Sequence, residues 1–162
     1  MTAQRQERLR WPTIALLSAI AAASFSLARA ATTERLVADR FTGLAISGVD
    51  PVGYFTDARP LAGRPEFEAA AAGAIWRFRN EGNRAVLLGH PEVYGPQFGG
   101  YDPIDIARGV AVAGDPRFWL ISAQRLFLFG RAESRDAFAA DPARLAAEAK
   151  RRWPSLRETL AR

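Results

Sequence analysis

Past residue 30 the chain alternates short apolar runs with turn residues, a spacing that fits strands and short helices. Phe41–Ile46 (FTGLAI) predicts a first strand or extended entry, with Ser47-Gly48 as the turn behind it. Asp50-Pro51 opens a helix, since aspartate accepts the free N–H groups of a helix start and proline suits the first helical position. Val52, Tyr54 and Phe55 then ride on one short helical turn. Gly63-Arg64-Pro65 separates this from a hairpin in which Phe67–Ala70 turns near Ala72-Gly73 into Ala74–Arg79. Trp76 and Phe78 share one face of it, Arg77 and Arg79 the other. A second hairpin pairs Arg117–Ile121 with Leu126–Phe129 across Ser122-Ala123-Gln124. Its strands are apolar on both faces, which predicts a place at the centre of the sheet. From Ala143 to Trp153 the pattern is helical, with Leu145, Ala149 and Trp153 along one stripe, and Pro154 stops or kinks the helix.

Residues 75–94 lie without a gap over residues 126–145, at an offset of 51. Phe78 matches Phe129, Arg84 matches Arg135 and Pro91 matches Pro142, while Ile75/Leu126, Trp76/Phe127, Leu87/Phe138 and Tyr94/Leu145 are like for like. Each copy reads as strand, cap and helix, then a His-Pro or Asp-Pro that starts a further helical turn. Two copies are too few for a solenoid, so the reading is a pair of strand-helix units around one sheet, against the alternative of chance similarity between amphipathic segments. The fold class expected is α+β: a small antiparallel sheet of two hairpins with short helices packed on it.

Composition changes the picture at the N-terminus. Arg5, Arg8 and Arg10 precede an apolar run, Trp11–Ala28, that ends in Ala28-Arg29-Ala30, which are the three parts of an export signal. Domain organisation is accordingly a signal peptide over 1–30 and a single domain over 31–162, periplasmic or secreted after cleavage near Ala30; an uncleaved anchor is the alternative. The sequence pI of 10.6 invites nucleic acid as a partner, but residues 1–30 hold +3 of the formal +5, and no basic block beyond Lys150-Arg151-Arg152 follows. Nucleic acid is therefore excluded as a partner, as is a membrane beyond the signal segment. The chain has no cysteine, so it has neither disulfides nor a thiolate nucleophile or soft-metal ligand.

Four stretches carry a family resemblance: Gly48-Val-Asp-Pro-Val-Gly-Tyr-Phe55, Gly73-Ala-Ile-Trp-Arg-Phe78, His90-Pro-Glu-Val-Tyr-Gly-Pro-Gln-Phe-Gly-Gly-Tyr101 and Asp115-Pro-Arg-Phe-Trp-Leu-Ile121. In order and spacing they resemble the exported bacterial YHS domain-containing proteins, over residues 41–154. The resemblance implies a YHS-like fold and a link to metal handling, copper especially. Asp102 stands where that family usually has a cysteine after Gly-Gly-Tyr, replacing a soft thiolate with a hard carboxylate that suits magnesium, calcium or manganese.

The candidate chemistry gathers around that loop. Asp50, Tyr54, Trp76, Tyr94, Phe98, Gly99, Gly100 and Tyr101 form a candidate binding loop and aromatic lining, with packing in the core as the plainer reading. Asp102, Asp105 and His90 are the candidate metal ligands. Against this, Asp102 reads as the N-cap of a helix beginning at Pro103, with Asp105 in its first turn, and His90 before Pro91 reads as a cap. No nucleophile elbow, phosphate loop or zinc helix is present, so the function expected is binding rather than turnover: an exported accessory module whose partner is a small ligand, a metal ion or a periplasmic protein, or else a structural subunit.

Overall fold

The computed structural model describes residues 35–160. The expected signal peptide and its cleavage site lie outside them. The described chain forms α1 (Gly53–Thr56), β1 (Arg64–Ala71), β2 (Ala74–Phe78), α2 (Glu81–Gly89), α3 (Pro91–Tyr94), α4 (Pro103–Ala107), β3 (Asp115–Ser122), β4 (Arg125–Phe129), α5 (Ala132–Ala140) and α6 (Pro142–Glu158), with tight 3-10 turns at Ile46–Gly48 and Gln97–Gly100. The α+β class and both hairpins stand as the sequence implied. The hairpins do not merge: β1-β2 and β3-β4 are separate two-stranded antiparallel sheets. Among the described residues no helix is long and apolar enough to cross a membrane.

The internal repeat governs the architecture and reaches further than the sequence match. β1, β2 and α2 recur as β3, β4 and α5 at the same 51-residue offset, with the same bounds at both ends. Even the strand irregularity recurs, between Arg64 and Glu68 in one hairpin and between Asp115 and Trp119 in the other. Both hairpins turn through two left-handed residues, Ala72-Gly73 (φ 53° and 84°) and Ala123-Gln124 (φ 47° and 57°), as tight two-residue hairpins require.

Ahead of each hairpin the correspondence continues, shifted by one position. Ile46, Ser47 and Gly48 have φ of 42°, 59° and 74°; Phe98, Gly99 and Gly100 have 55°, 63° and 84°. Asp50 N–H donates to Leu61 O and Gly63 N–H to Gly48 O; their counterparts are Asp102 N–H to Val112 O and Gly114 N–H to Gly100 O. The molecule is thus two copies of one unit: left-handed turn, Asp-Pro, short helix, hairpin, helix.

The units stack head to tail, and each end is closed differently. In the first unit, Tyr54 on α1 lies under β3: its hydroxyl donates to Pro116 O at 2.9 Å, and its ring meets Trp119 at 5.1 Å. Ile106 on α4 is the counterpart of Tyr54, and it is covered by α6, in a cluster with Val37, Tyr101, Ala149 and Trp153. On β1 the counterparts of Pro116 and Trp119 are Pro65, which is exposed, and Glu68, which pairs with Arg77 at 2.7 Å. Proline and charge on that outer strand leave nothing for a third unit to pack on, and α6 occupies the other end.

Three expectations change. Phe41 lies in a turn rather than a strand, and only isolated bridges at Ala38↔Ala45 and Leu44↔Ile75 mark an extended entry. β4 is not the centre of a sheet; its two faces are buried because Leu126 and Leu128 meet the first hairpin's core while Phe127 and Phe129 meet Phe138 of α5. Pro154 does not stop α6, which runs on to Glu158 because Leu156 and Leu160 beyond it keep packing on the Tyr101 and Ile106 cluster.

Candidate functional site

The loop that carries the family resemblance is a joint between chain segments. Gly99 faces the segment at Arg35 and Leu36 so closely that a Cβ there would clash with the Arg35 carbonyl oxygen. That approach lets Val37 N–H donate to Gly99 O at 2.8 Å while Ile46 N–H donates to Val37 O at 3.0 Å, so residues 37–38 run between the two left-handed turns. The aromatics of the expected lining are divided among separate cores. Tyr54 and Trp76 belong to the cluster between the hairpins, where Trp76 Nε1 donates to Ala71 O and Tyr94 packs edge-on to Phe55. Tyr101 lies in the cluster under α6, with Trp153 at 5.9 Å, and Phe98 stands between Phe127 and Trp153. A common pocket of Tyr54, Trp76 and Tyr101 does not form, because the two units hold these rings in different layers.

The carboxylates are likewise engaged by the fold. Asp50 is fully buried; one oxygen accepts Val52 N–H at 2.9 Å and the other accepts Arg79 N–H at 2.8 Å and the Asn83 side-chain amide at 2.6 Å. Asp102 is its counterpart, also fully buried, accepting Ile104 N–H and Gly130 N–H, both at 2.9 Å, one on each oxygen. Burial pushes the Asp102 carboxyl above the usual carboxylate range, against the opposing pull of the Gly130 N–H. Asp102 is thus the N-cap of α4, and an aspartate at this position makes the second unit repeat the first.

Asp105 follows in the first turn of α4 and takes a forked pair of bonds from Arg131, at 2.8 and 3.2 Å, with Arg108 at 3.4 Å. His90 is exposed, joins α2 to α3 without a side-chain capping bond, and has the Glu92 carboxylate 3.8 Å from its Nδ1. Its counterpart Asp141 does cap, accepting Arg144 N–H. The structure therefore does not bring His90 to Asp102 and Asp105, and among the described residues no group of three His, Cys, Asp or Glu side chains is placed to hold a metal ion.

An apolar concavity of the described surface lies elsewhere. A groove of about 230 Å³ runs between the β1-β2 turn and α2-α3, lined by Leu36, Trp76, Leu87, Leu88, Pro91 and Pro96. Trp76 forms its floor at 4% exposure, and Leu88 stands on its rim at 50%. Gly95 turns the chain away after α3, where a Cβ would press on Pro91 O, so the helix that continues as α6 in the second unit ends here after four residues and leaves the face uncovered. Of these residues the sequence reading singled out only Trp76 for binding. The signal available was Leu87-Leu88, two adjacent leucines on a helix, of which only one can face the core. No family model matches this chain, and neither a curated protein nor a solved structure is similar to it at a significant level.

Proposed function

We propose that this chain is a non-catalytic binding module, exported as its N-terminal pattern implies, whose working surface is the groove beside Trp76. The observation that carries the reading is the contrast between this groove and the rest of the candidate chemistry: the carboxylates and the loop aromatics are used up in holding the two units, whereas Leu36, Leu88, Pro91 and Pro96 leave an apolar concavity open over an indole. At about 230 Å³ it is smaller than the roughly 300–1,000 Å³ typical of cofactor-sized ligands. It suits one apolar side chain presented by a polypeptide, which favours a protein partner over a small molecule. The resemblance to YHS proteins supports an accessory role, and its metal-handling side would then belong to the partner.

The test is a titration of the ¹⁵N-labelled protein with N-acetyl-phenylalaninamide. Shifts confined to the Trp76 indole N–H, Leu88 and Gly95, abolished in Leu88→Asp, support the reading. Shifts scattered over the surface, or none at any soluble concentration, refute it.

A further inference from the structure

Phe41 is 85% exposed, the most exposed large apolar side chain of the described residues, and the turn that carries it is braced by hydrogen bonds. Asp39 Oδ1 accepts Phe41 N–H at 3.0 Å, Thr42 N–H at 2.7 Å and the Thr42 hydroxyl at 2.8 Å, while Asp39 O accepts Gly43 N–H and Asp39 N–H donates to Leu44 O. An aromatic side chain held out on a backbone already ordered by five hydrogen bonds loses little entropy on burial, which is the character of an interface anchor. Arg40 lies against the ring at 5.1 Å, so the knob carries a cation at its side.

The knob and the groove occupy the same end of the molecule. Gly43, two residues beyond Phe41, lines a shallow depression around the β1-β2 turn that shares Ala71 and Ala72 with the Trp76 groove. In a two-fold contact the axis passes midway between a protomer's knob and its own hole, so a knob beside its hole gives one compact interface around the axis. The charges agree: Arg40 flanks the knob, and the exposed Glu92 follows Pro91, which lines the hole.

We propose that the groove is occupied by a second copy of this chain, each protomer inserting Phe41 over the partner's Trp76 with Arg40 facing Glu92 across the rim. The proposal rests on the groove's being a docking surface and names its occupant. The resting protein is then a reversible dimer in which each protomer shields the other's groove, and any other partner competes with self-association.

Sedimentation of the exported protein across a concentration series tests it. The expected result is a monomer–dimer equilibrium weakened by at least about thirtyfold in Phe41→Ser and in Leu88→Asp, both changes at exposed positions that leave the fold intact. Mixing the two variants supplies one intact knob and one intact hole, so a heterodimer forms although neither variant self-associates. A wild-type chain that stays monomeric at millimolar concentration, or a dimer that Phe41→Ser leaves unchanged, overturns the proposal; if N-acetyl-phenylalaninamide still shifts Trp76 in that case, the groove reading survives without it. Absence of both association and probe binding ends both.

Discussion

Asp50 and Asp102 perform the same task in successive units: each carboxylate accepts the N–H two residues downstream with one oxygen and, with the other, the N–H of the residue after a hairpin's second strand. Each thereby ties a left-handed turn to its hairpin at a fully buried position. The pair explains why a carboxylate serves where a thiol would not, since a cysteine has no second acceptor to offer.

Asp102→Ala and Asp102→Cys each leave two buried N–H groups without their acceptor. The expected loss is about 3 kcal/mol of unfolding free energy, read from urea transitions. Titration with copper, zinc or manganese should not distinguish a folded Asp102→Ala protein from the wild type. A metal affinity that this substitution abolishes would restore the carboxylate as a ligand.

The same residue gives a pH dependence of defined sign. Because burial raises the Asp102 carboxyl from 3.8 in the folded chain, the native state holds that proton more tightly than the unfolded state. Its contribution to stability is present in full below about 3.8 and is lost as pH rises through the raised value. The stability of wild type minus that of Asp102→Ala should therefore fall from acid to neutral pH. A difference that is flat, or that rises, contradicts the assignment.

Gly99 and Gly73 both have positive φ, yet only Gly99 faces another backbone; a Cβ at Gly73 meets nothing within 4 Å. Gly73→Ala should cost about 1 kcal/mol, the conformational term alone. Gly99→Ala should cost at least about 2 kcal/mol more, because the backbone at Arg35 must move. Equal costs at the two sites would mean that this backbone approach is not tight.

Tyr54→Phe removes the hydroxyl that α1 donates to Pro116 of the next unit. The buried carbonyl loses its donor, and about 1–2 kcal/mol of unfolding free energy should be lost, read as a lower urea midpoint with the slope unchanged. A change in slope instead would indicate that the two units had ceased to unfold together.

Much of this fold is written locally in the sequence. Alternation around Trp76 and Phe78 marks a hairpin face, Asp102-Pro103 marks a helix start, and Phe78/Phe129 with Pro91/Pro142 marks the repeat. What escaped the sequence depended on contacts between distant segments. Ile46 and Ser47 hold left-handed backbone without glycine, and only superposition on Phe98 and Gly99 explains them. Pro65 sits inside β1 because that strand's outer side faces solvent, a fact about the neighbour it lacks. The aromatics of the loop were legible as a group, but their division between two units was not, since one residue of offset separates the turn repeat from the hairpin repeat.

Residues 37 and 38 stand near the front of the described chain, yet their anchor, the Gly99 carbonyl, belongs to the second unit. Any process that delivers the polypeptide N-terminus first, synthesis or passage across a membrane, presents this segment long before the turn that clasps it exists. The first unit stays half-closed until the second follows it, and the seam between them closes only once the chain has emerged past Gly99 and the hairpin that carries Pro116, Trp119 and Leu128.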